Sequence, residues 1–129
     1  MKKFFIACLF LSTVLFANAQ TYTRSDLQKY VAEINAASPI KTSTGDLILN
    51  STLVGNVLYE TTVMDDKSSF DELQSSLAVF KQALINAYAN QVKGKMLADT
   101  RTTYIMIWVC KDGTYPPFQI IIRPDELKR

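Results

Sequence analysis

Thr102-Thr103-Tyr104-Ile105-Met106-Ile107-Trp108-Val109-Cys110 is the strongest strand signal in the 129-residue chain. β-branched and aromatic side chains suit a pleated, packed surface. Successive side chains of a strand point to opposite faces, and here both faces are apolar. Ile105, Ile107 and Val109 stand on one; Tyr104, Met106, Trp108 and Cys110 stand on the other. A sheet with helices on one side needs only one apolar face, and the aliphatic one is expected beneath the helices. The face with Tyr104, Met106 and Trp108 then has two readings. It is covered by the connector Ile40 to Gly45, by the Tyr115-Pro116-Pro117 loop or by a curled sheet edge. Otherwise it is an exposed platform for a partner, since Trp, Tyr and Met are enriched in interface cores. Tyr59 extends that platform only in a register that brings it there.

C-terminal to this strand, Asp112-Gly113 reads as a turn and Phe118 to Arg123 as the last strand, stopped by Pro124. Asp125 to Arg129 reads as a charged tail. N-terminal to it, Phe70, Leu73, Leu77, Phe80, Leu84 and Tyr88 step by threes and fours, which is the spacing of a long amphipathic helix. Ser69 and Glu72 have capping-box spacing, Gly94 fits a C-cap, and Lys95 to Asp99 adds a further turn. Before it come two strands, Asp46 to Leu53 and Val57 to Met64, joined by Gly55-Asn56. Those two residues tolerate positive φ, so a hairpin is expected. In the first strand Leu47, Leu49 and Leu53 share a side; in the second Val57, Tyr59 and Val63 do. A first helix is expected over Asp26 to Ala37, with Ser25 and Gln28 as its capping box and Pro39 as its stop. The pattern is α+β: two αββ units forming a four-stranded antiparallel sheet with both helices packed on one face.

The start of the chain reads as a leader. Lys2 and Lys3 precede a mostly apolar run of about thirteen residues, Phe4 to Phe16, and Ala17-Asn18-Ala19 is a small-x-small cleavage pattern. A spanning helix needs roughly twenty apolar residues. Residues 1–19 are therefore expected to be a cleaved signal peptide, and 20–129 a single domain of 110 residues, periplasmic or secreted, with no transmembrane segment. Without Lys2 and Lys3, 12 basic residues face 12 acidic ones. Neutrality argues against nucleic acid, whose binders gather basic excess on one face. The small group Lys93, Lys95 and Arg101 reads as a solvated helix end. Cys110 is the one cysteine after cleavage, and a buried position inside an apolar strand is expected for it.

The chain has no His. That removes the usual general base, the Ser-His and Cys-His pairs and the commonest metal ligand. Asp65-Asp66 and Asp71-Glu72 lie where a helix start favours negative charge. No phosphate-cradling Gly-rich loop occurs, and a Ser-Lys dyad has no spacing that singles one out. No cofactor, metal or catalytic residue is expected.

Asn35 and Pro39, Gly55-Asn56, Tyr59, and the late Tyr104, Trp108, Asp112 and Gly113 together resemble small exported αββ-repeat proteins of Gram-negative gut-type bacteria. In style the fold is also similar to PepSY-type and β-lactamase-inhibitor-type modules, which present a sheet face to a partner. The resemblance implies an exported fold and carries no catalytic residue. The expected function is a non-enzymatic binding module that uses Tyr104, Met106 and Trp108 to contact a protein or peptide. The alternative is a structural or self-associating, dimeric envelope protein. An enzyme using carboxylates or a Ser-Lys pair is the third reading.

Overall fold

The computed structural model describes residues 21–42 and 45–128; the expected signal peptide lies outside them. The first element of the described residues is helix α1, Arg24–Ala37. Its N-cap is Thr23, whose side chain accepts from the Asp26 N–H while the Asp26 carboxylate accepts from the Thr23 N–H. The capping box thus lies two residues before the expected Ser25. A two-residue strand, β1 (Ile40–Lys41), occupies the start of the expected connector. The hairpin follows as β2 (Leu47–Val54) and β3 (Val57–Met64), turning at Gly55 with φ +57°.

Three helices then replace the long one expected from spacing: α2 (Lys67–Ser75), α3 (Leu77–Tyr88) and α4 (Val92–Asp99). Asp66 caps α2 by accepting from the Ser68 N–H, and Ser69 Oγ donates to the same carboxylate. Ser76 leaves helical angles at φ −132°, ψ 38°. The break hardly disturbs the apolar stripe, so Phe70, Leu73, Phe80, Leu84 and Tyr88 are all buried on one side. Gly94 lies inside α4 rather than capping a helix. A Cβ there would stand 1.9 Å from the Tyr88 carbonyl oxygen, so only glycine lets α4 fold back against the end of α3. Strands β4 (Thr103–Cys110) and β5 (Phe118–Ile122) complete the sheet. The expected charged tail holds a 3₁₀ turn, Pro124–Leu127, which buries Leu127 and aims Glu126 at Lys81, 3.2 Å away.

The sheet has five strands in the order β1-β2-β3-β4-β5. It is mixed, which corrects the expected four antiparallel strands built from two αββ units. β3 and β4 run parallel, from Val57 opposite Thr103 to Met64 opposite Cys110; the other pairs are antiparallel. The reason is the connection. Parallel neighbours need a crossover of a dozen or more residues, and α2, α3 and α4 carry the chain back to the end where β3 began.

The four described helices bury apolar residues in one cluster with Leu58, Met64, Tyr104, Met106, Trp108, Cys110, Ile120 and Ile122. The helices therefore cover the aromatic face of β4, the reverse of the expected arrangement. Trp108 stacks edge-on against Phe80 with centroids 5.5 Å apart, and Phe118 stacks parallel to Trp108 at 6.4 Å. Tyr115 does contribute from its loop, stacking on Phe70 at 5.9 Å. Cys110 is buried, as expected of a thiol in this strand.

Candidate functional site

Tyr104, Met106 and Trp108 are 0%, 4% and 2% exposed. They form no platform in this fold, because α3 and α4 lie on them. Two places could carry function instead: a charged centre inside the core, and the sheet face that no described helix covers.

The charged centre joins β3, β4 and α4. Lys93 Nζ lies 3.1 Å from both oxygens of Glu60, and the two side chains are 1% and 2% exposed. Tyr104 Oη donates to Glu60 Oε1 at 2.5 Å, and Ser51 Oγ donates to Oε2 at 2.8 Å. The rings of Tyr104, Tyr88 and Tyr30 surround the ammonium at 4.3, 5.3 and 5.8 Å. Burial pushes the Glu60 carboxyl up. The Lys93 charge and the hydrogen bonds from Tyr104, Ser51 and Lys93 outweigh it and hold the group below its ordinary value. Burial and the Glu60 charge raise the Tyr104 phenol well above its usual range. The centre thus holds a carboxylate, an ammonium and a neutral phenol, each occupied by the others. Such a group rigidifies a core.

Lys93 was expected on a solvated helix end, and Glu60 was not singled out. One signal was present. Glu60 is the sole charged residue in the strand Val57–Met64, on the face opposite Val57, Tyr59 and Val63.

A shallow groove of about 290 Å³ runs between α1 and the outer edge of β2, past Arg24, Gln28, Asn35, Ser51 and Leu53. Its polar groups hold the hairpin. Asn35 donates to the Ser51 carbonyl and accepts from the Ser51 N–H, as a neighbouring strand would. Arg24 Nη1 donates to the Gly55 carbonyl at 2.6 Å.

The uncovered face follows from the register. Leu47, Val63 and Val109 form one row, and Thr61, Ile107 and Gln119 the next. Tyr59, Ile105 and Ile121 form a third, ending at Val57 and Thr103. A bulge at Leu49 shifts the β2 register. It turns Ile48 and Ser51 inward and leaves Leu49 41% exposed. The expected alternation of Leu47, Leu49 and Leu53 is broken there, because one extra residue reverses the sides that follow. Strands β2 to β5 contain one charged residue, Glu60, and it points under the helices. In these rows the uncovered face carries eight apolar side chains among the polar Asn50, Thr52, Thr61, Thr103 and Gln119, and its charge is the exposed Lys41 of β1, opposite Leu47 at the outer corner. Solvated sheet faces normally alternate polar residues outward, and parallel pairs are normally covered on both sides.

No family model matches the chain, and no curated protein matches its sequence. Among solved structures, the chain is similar to a candidate secreted protein of Pseudomonas aeruginosa, PA3611, known from a 1.60 Å crystal structure. The TM-score is 0.68 at 14% identity, over 80% of this chain and 90% of that one. At that identity the likeness is one of fold. It agrees with a small secreted protein and gives no support to the αββ-repeat family in particular. Among the described residues no helix is long and apolar enough to cross a membrane, and no cluster of three His, Cys, Asp or Glu side chains could hold a metal ion.

Proposed function

We propose that the protein is an exported, non-enzymatic interaction module whose working surface is the uncovered sheet face centred on Ile107. The observation that carries this reading is the contrast between the two sides of one sheet. The helix side takes Tyr104, Trp108, Phe118 and the single strand carboxylate, Glu60. The other side keeps Val63, Ile105, Ile107, Val109 and Ile121 without a charged residue among them. A contiguous apolar patch on a small protein marks an interaction surface. Export is supported by the leader-like start of the sequence and by the secreted fold relative. Against catalysis stand the absence of His and the sealing of Glu60 and Lys93 from any substrate.

A photo-crosslinking residue placed at Ile107, in cells that export the protein, tests the reading. An adduct is expected from position 107 and none from Val79, which is 64% exposed on the outer side of α3. Silence at 107, or equal labelling at both positions, would overturn it.

A further inference from the structure

We infer that the occupant of the uncovered face is a second copy of this chain, packed face to face across a twofold axis. The inference rests on the reading just given and names its partner. Three observations point to a copy.

The rows of β3, β4 and β5 are uncharged and Lys41 of β1 stands exposed at the outer corner, so two identical faces centred on Ile107 meet without burying an unpaired ion. Its side chains are short and mostly β-branched, the kind that interdigitate when sheets stack about 10 Å apart. The sheet edges also discourage the competing mode, in which strands join edge to edge. β1 has only two residues, and Asn35 occupies the β2 backbone beyond it at Ser51. β5 is bracketed by Pro116-Pro117 and Pro124, which donate nothing to a ladder.

Area agrees. Three strands about 4.8 Å apart and about 23 Å long, with the shorter β5 beside them, cover roughly 400 Å² in plan. Two such faces bury on the order of 1,000 Å² once side-chain relief is included, which is at the threshold for a specific interface. The dimer is therefore reversible and sensitive to single changes. Ile107 sits at its centre, between Thr61 and Gln119.

The test is the mass of the protein, purified from cells that export it with its own leader, by light scattering from about 1 µM to about 1 mM. Wild type should rise towards twice the monomer mass. Ile107→Lys should stay monomeric, and Val79→Lys should behave as wild type. Ile107→Thr keeps a β-branched strand residue and should weaken the dimer at least tenfold without unfolding. It answers the question if Ile107→Lys fails to fold. A wild type that stays monomeric throughout overturns the inference, as does a dimer that both position-107 variants leave intact. A monomer whose position 107 still crosslinks to a different protein in cells refutes the copy as occupant and leaves the interaction module standing. A monomer with no adduct refutes both.

Discussion

Lys93→Met should be among the most damaging single substitutions in the chain, and the companion change at Glu60 should reverse most of the damage. Methionine approximates the length of lysine, so the packing of α4 on β3 and β4 survives. What is lost is the charge facing Glu60. The carboxylate, 2% exposed, keeps only the neutral donors Tyr104 and Ser51. Removing one partner of a buried ion pair costs about 3–5 kcal/mol, whereas replacing both by apolar groups is often neutral. A domain of this size holds about 5–15 kcal/mol in total, so the single variant loses about a fifth of its stability or more. With about 4 °C of Tm per kcal/mol, the loss is on the order of 15 °C. Urea unfolding of wild type, Lys93→Met, Glu60→Leu and the double variant completes the cycle. The double variant should be more stable than either single one. If Lys93→Met costs less than about 1 kcal/mol, or if the two losses simply add, the pair is not enclosed as described.

Gly94→Ala should destabilise although alanine is favoured in helices by about 1 kcal/mol. The added methyl meets a backbone carbonyl 1.9 Å away, which no rotamer relieves, so a net loss of about 2–3 kcal/mol in urea unfolding is expected; a stabilised variant would mean that α4 does not fold back on α3. Acid should also destabilise. A carboxyl held below its ordinary value contributes stability above its unfolded pKa of about 4.3 and loses it as pH falls through the folded value, so the urea midpoint should drop as pH falls below about 4.5. Glu60→Gln should flatten part of that drop, leaving the parts due to Asp112 and Glu126, which are lowered too. An acid limb identical in both proteins would assign the effect elsewhere.

Local chemistry was legible where a single element decides it. Gly55-Asn56, the strand over Val57 to Met64 and the stop at Pro39 all stand within a residue or so of their expected places. The breaks at Ser76 and near Asn90 left little trace, because the apolar stripe continues through them from Phe70 to Tyr88. Strand direction was hidden for another reason. Two hairpins separated by one long helix and by three short ones look alike in pattern. Yet three helices return the chain to the start of β3, and β4 must then run parallel to it. Lys93 looked solvated because neighbours in sequence, Lys95 and Arg101, share its charge. Its partner Glu60 is 33 residues away, and only the fold brings them together.

The orientation of β4 was the decision on which the site turned, and alternation alone could not make it. Either face is apolar enough to be core, so the helices choose. They bring Phe70, Phe80, Tyr88 and Lys93. Lys93 needs a carboxylate and Glu60 supplies it. Glu60 lies opposite Met106 in the parallel register, on the side of Leu58, Thr62 and Met64. Turning β4 over would place Glu60 beside Ile105 and Ile107 instead of Tyr104 and would strip the carboxylate of its phenol donor. The single carboxylate in the strands thus sets which face is inside, and it leaves the aliphatic face as the surface the protein presents.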